Sequence, residues 1–167
     1  MCGALSEKGS PEHELAFARD LINQVVDDAP LERTAIHICR GNWTRDESAA
    51  LSGDYHPLVP TLKALKVGNY LLELCTPRAG EIEALKELPQ DRRIGIGVVN
   101  PKTEIVESLE EIVAKAKSAA DLFGADRIFL NPDCGFATFA DNPVCSARLA
   151  EAKLTALARA AEILKAR

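Results

Sequence analysis

Residues 93–100, R-I-G-I-G-V-V-N, limit the fold more than any other stretch. The run is too short for a membrane span, which takes about 20 residues. It also lacks the polar alternation of a strand with one wet face. Continuous apolar runs of this length belong to strands covered on both sides, as in parallel sheets flanked by helices. Three more runs read as strands: residues 34–39, 67–75 and 127–130. Helical patterns separate them. Residues 56–66 place Leu58, Leu62 and Leu65 along one side, and residues 80–88 form a second crossover. Ser108-Leu109-Glu110-Glu111 is a capping box for a third helix, which stops at Gly124. A leading helix opens at Ser10-Pro11-Glu12 and keeps Leu15, Ala18, Ile22, Val25 and Val26 in phase to about Asp28. A final helix is expected from Asp141-Asn142-Pro143, burying Leu149, Leu154, Leu157, Ala161 and Leu164. The pattern is α/β: a leading helix, then four strand–helix units joined by right-handed parallel crossovers.

Charge narrows the function classes. Lys and Arg number 20 against 25 acidic residues, a net −5 with no basic block, which argues against nucleic acid or an anionic membrane as partner. Aromatic residues make up 5%, too few for base-stacking platforms. No apolar run approaches the ~18 residues of a span, and charges run through the first 30 residues, so a cytoplasmic protein without a signal peptide is expected. At 167 residues the whole chain is expected to form one domain. Its five cysteines, an odd number, fit metal binding or reactive thiols better than disulfides.

In strand–helix units the C-terminal strand ends gather on one face, where catalytic groups collect. The polar residues there are His37 and Cys39, Glu73 and Cys75, Asn100 and Lys102, and Asn131, Asp133 and Cys134. His37 and Cys39 are two apart, so in a strand both point the same way. Glu73 interrupts an apolar run where a bare carboxylate is costly, unless a cation lies beside it. His37, Cys39, Glu73 and Cys134 together make an N, S, O, S donor set suited to zinc. Plainer roles exist for each: Glu73 has Arg40 or Arg78 as ion-pair partners, Cys134 can fill a turn, and Cys75 can replace a ligand or simply pack. Cys2 and Cys145 read as structural, and His13 and His56 as surface residues. Asn100 and Lys102 are the candidate catalytic groups.

Four motifs, H-I-C-R-G-N-W, L-L-E-L-C-T-P-R-A-G, G-I-G-V-V-N-P-K-T-E-I-V-E-S and N-P-D-C-G-F-A-T, resemble in order the C-terminal catalytic region of the cobalamin-independent methionine synthase family, and more closely its short single-barrel branch. The resemblance runs over residues 12–165. It implies the C-terminal half of a TIM (β/α)8-type barrel and a zinc enzyme that moves a methyl group, from 5-methyltetrahydrofolate or a related donor, to the thiolate of homocysteine. It implies His37, Cys39, Glu73 and Cys134 as the zinc ligands. The larger synthases carry a proton-donating His where this chain has Lys102. Four units instead of eight imply a homo-oligomer or a complementary N-terminal half-barrel, since four alone leave open sheet edges. Two other outcomes fit the same lineage: a thiol alkyltransferase resembling epoxyalkane:coenzyme M transferase, or an inactive half-barrel serving as an assembly module.

Overall fold

The computed structural model describes residues 9–76 and 82–165. Strands β1 (Ala35–Ile38), β2 (Asn69–Leu72), β3 (Arg93–Val99) and β4 (Ile128–Pro132) form one parallel sheet in the order β1-β2-β3-β4. Helices α1 (Pro11–Val25), α2 (Val59–Lys63), α3 (Leu109–Phe123) and α4 (Ala147–Lys165) accompany it. Strands laid side by side in chain order are the arrangement of barrel-type units. A doubly wound sheet reverses direction at a switch point.

The register sorts the strand residues into two faces. Ile36, Ile38, Tyr70, Leu72, Ile94, Ile96, Val98, Ile128 and Leu130 join the helices in a single core with Leu62, Leu85, Ile112, Phe123 and Ala160. The opposite face is built in rows. His37 pairs with Leu71, Leu71 with Gly95, and Gly95 with Phe129. The next row, two residues on, carries Cys39, Glu73, Gly97 and Asn131.

Gly97 is required by what crosses it. A Cβ there would fall 2.0 Å from Asp133 Oδ1 and 2.7 Å from the Leu72 carbonyl oxygen. The Asp133 carboxylate, at the end of β4, passes over β3 to accept the amides of Leu74 and Cys75, each at 2.9 Å. Gly97→Ala is therefore expected to break this tie and lower stability by about 1–3 kcal/mol, the usual range for overpacking. A denaturant midpoint equal to wild type would contradict it.

Several boundaries differ from the sequence pattern. Ser10 caps α1 through its hydroxyl, as expected, and the capping box of Ser108 and Glu111 opens α3 with both of its bonds made. The expected crossover over residues 80–88 is a 3-10 segment, Ile82–Glu87, its first residues lying outside those described. Leu85 and Leu88, three apart, both bury, and three is the repeat of a 3-10 turn. The last helix starts at Ala147, not at Asp141, because Val144 and Cys145 first bury in the core; the Ser146 hydroxyl then accepts the Leu149 amide at 3.3 Å. Its buried stripe is also rotated. Leu154 is 46% exposed, and Lys153 and Ala160 face inward. In α1 no residue is fully buried and Val25 is 78% exposed; it continues an outward apolar line with Phe17 and Leu21. No helix among the described residues is long and apolar enough to cross a membrane.

Candidate metal centre

His37 comes from β1, Cys39 follows that strand, and Cys134 follows β4. The ligand atoms of all three lie within 4.8 Å of one another. In a flat sheet of this order the outer strands stand three spacings apart, about 14 Å. The strand ends therefore converge, so the face bearing these residues is concave.

The imidazole is aimed by its own hydrogen bond. His37 Nδ1 lies 3.1 Å from the Leu71 carbonyl oxygen on the adjacent strand. A carbonyl only accepts, so Nδ1 donates to it, and this turns Nε2 toward the group, 3.2 Å from Cys134 Sγ. Metal-binding histidines are commonly held this way. Hydrogen bonding from Cys134, and then from His37, pulls the Cys39 thiol far below its ordinary range. The same contact with Cys39, reinforced by burial, pushes Cys134 up. Two sulfurs and a ring nitrogen at these separations suit a zinc ion, whose bonds of about 2.0–2.3 Å set neighbouring ligands roughly 3–4 Å apart.

Glu73 is not one of these three. It is buried, and its Oε2 accepts the Arg40 amide at 2.6 Å. It lines a small cavity together with Cys134. The expected partner Arg40 thus meets Glu73 through its backbone. Its guanidinium donates to the Gly53 carbonyl at 2.7 and 2.9 Å and lies over the Tyr55 ring. Arg78, the other expected partner, lies outside the described residues, as does Cys2. Cys75 is not in the group; burial raises its thiol to about 12, and Lys115 Nζ lies 3.5 Å from it. Cys145 is buried, and His13 and His56 are exposed.

Asn100 and Lys102 border the same cavity, with Glu47, Asn42 and Asp133. The volume left is about 10 Å³, room for roughly one water molecule. The Asn100 amide donates to Glu107 Oε1 at 2.8 Å, its side chain donates to Glu47 Oε1 at 3.1 Å, and its Oδ1 accepts the Lys102 amide at 2.9 Å. Lys102 Nζ is buried without a hydrogen bond, 3.7 Å from Glu47 Oε2. Burial is the main reason the Asp133 carboxyl is raised to about 7.

Behind this wall stands a residue the amphipathic pattern hides. Lys153, fully buried on α4, donates to Glu107 Oε2 at 3.0 Å and to the Ile105 carbonyl. Glu107 thereby carries the hold from α4 to Asn100. Glu47 and Lys153 lie in no motif, Glu107 lies in the third motif with no role assigned to it there, and only the tertiary structure brings the three together.

Residues 44–159, more than half of the chain, match the cobalamin-independent synthase catalytic-domain family. The chain belongs to that family. The matched span includes Glu73, Asn100, Lys102 and Cys134 and begins just after His37 and Cys39. The uncharacterized protein YxjH of Bacillus subtilis is 32% identical to this family member over 133 residues, 78% of this chain and 35% of its own length. The methionine synthase of Methanothermobacter thermautotrophicus is 34% identical over 112 residues, 66% of this chain and 36% of its own. A B12-independent methionine synthase from Shewanella sp. W3-18-1, solved with selenomethionine, superposes with a TM-score of 0.78 at 21% identity. That match covers 92% of this chain and 44% of that one, and it shows the shared barrel-type fold. The chain thus spans between a third and a half of these relatives' lengths.

Proposed function

We propose that the chain holds the zinc centre of a methionine-synthase-type thiol methyltransferase, with His37, Cys39 and Cys134 as ligands and Glu73 as the fourth. The observation carrying this is the convergence of an aimed imidazole and two thiols from the first and last strands. Zinc bound there would favour the thiolate form of an incoming thiol at neutral pH. Homocysteine is the thiol most in keeping with the relatives named methionine synthase. Glu73, whose Oε2 accepts the Arg40 amide, would supply the carboxylate ligand.

The remaining residues bind and orient. Lys102 Nζ, buried and without a hydrogen bond, favours an anionic or oxygen-bearing group in the cavity and can donate a proton to a departing donor. Asn100 fixes the Lys102 backbone. Lys102→Ala is expected to lower turnover about 100-fold while zinc content stays at wild-type level. Unchanged turnover would make Lys102 a bystander.

Among the described residues β1 and β4 are each paired on one side only, and Phe17, Leu21 and Val25 are exposed on α1. Open parallel edges favour a second set of strands, from another copy or a complementary half-barrel. We place the assembled protein in the cytoplasm and treat residues 1–167 as one domain. Metal analysis of the unchelated protein, together with its solution mass and a homocysteine methylation assay, tests the proposal. About one zinc per chain supports it, and a chain purified without zinc that binds none on addition defeats it.

A further inference from the structure

The thiol–imidazole group has a second side. An open groove of about 440 Å³ lies between the loops after β1 and β4 and is lined by His37, Cys39, Trp43, Leu51, Cys134 and Thr138 among others. No carboxylate lines it, whereas the cavity on the other side of Cys134 holds Glu47, Glu73, Lys102 and Asp133. Trp43 is the chain's single tryptophan. Its placement is built into the backbone. Gly41 has φ +117°, and a Cβ there would fall 2.1 Å from the indole ring, so the ring rests on a position only glycine leaves open. Asn42 donates to the Gly135 carbonyl at 2.7 Å and accepts from the Thr138 hydroxyl through its own carbonyl, joining the two loops and fixing the groove's width. Trp43 and Leu51 nevertheless stay about half exposed, at 45% and 49%. The volume falls in the range of small-molecule pockets, which are mostly apolar with a few polar anchors.

We propose that this groove binds an aromatic or branched apolar group held next to the sulfur at the metal centre, with the Trp43 indole as its contact face. The inference rests on the metal-centre reading. The group can belong to the thiol or to the alkyl donor, and two probes separate these sources. The first pair is benzyl mercaptan and 2-mercaptoethanol, thiols of similar acidity, titrated by calorimetry into the zinc-loaded chain. An apolar group on the thiol gives benzyl mercaptan about a tenfold advantage and changes Trp43 emission. Trp43→Ala and Leu51→Asp then abolish the advantage with circular dichroism and zinc content unchanged, and Trp43→Phe restores part of it. The second probe is benzyl alcohol added at saturating 2-mercaptoethanol. A change in Trp43 emission here, without a benzyl mercaptan advantage, assigns the group to the donor. Neither response overturns the proposal. Zinc content measured on the same samples keeps the two readings apart. If the chain holds no zinc the metal centre fails, and benzyl alcohol titrated into the metal-free chain decides the groove alone, silent Trp43 emission overturning it.

Discussion

Cys39→Ala or Cys134→Ser is expected to lower zinc affinity by at least about 100-fold, since loss of a direct ligand costs more than loss of the outer contacts that tune one. Far-UV circular dichroism should stay close to wild type, because neither side chain belongs to the main core. The two variants test different edges of the sheet: Cys39 follows β1 and Cys134 follows β4. A site assembled from both edges fails equally when either is removed. Full zinc retained in both variants would refute the ligand assignment. Zinc lost from one alone would mean that the ion sits with one loop and does not bridge the sheet.

Lys153→Met should give the largest loss of stability of any single change away from the thiols. Its ammonium is fully buried, and Glu107 is the carboxylate that balances it, 3.0 Å away. Methionine fills much of the same space but leaves Glu107 and the Ile105 carbonyl without their donor. Breaking a buried pair from one side costs about 3–5 kcal/mol, a large fraction of the 5–15 kcal/mol that holds a typical domain together. Glu107 also accepts the Asn100 amide, so the loop bearing Asn100 and Lys102 should loosen. The expected result is a lower denaturant midpoint for Lys153→Met and partial recovery when Glu107→Gln is added, because the second change removes the uncompensated charge. No recovery in the double variant would mean that the pair does not carry the effect.

The elements with strong local signals were legible in the sequence. The strand at β3, the cap of α1 and the capping box of α3 rest on adjacent residues, and each lies where its local chemistry puts it. His37 and Cys39 were legible for the same reason, since strand alternation alone puts them on one face. Cys134 required the topology as well, and the family resemblance supplied what periodicity could not. The misread elements are those decided by tertiary packing. Leu154 is as apolar as any residue of α4, yet Lys153 takes the inward position because Glu107 and Ile105 wait there. The start of α4 moved because Val144 and Cys145 bury before the chain turns helical. Glu73 reads as a metal ligand from its isolation in an apolar run, whereas the structure shows its carboxylate on the Arg40 amide, a partner no local pattern announces.

The meeting of His37 with Cys134 across 97 positions of chain has a bearing on when an ion can be taken up. Contacts so distant in sequence form late, after the intervening loop entropy has been overcome by local structure. During synthesis, His37 and Cys39 emerge with nothing opposite them, and the third donor arrives only once β4 exists. Even then the sulfur is in place only if Asp133, its neighbour, has crossed Gly97 to reach Leu74 and Cys75. Tight capture of the ion would thus be a closing event of folding, and its presence a chemical record that all four strands had found their order.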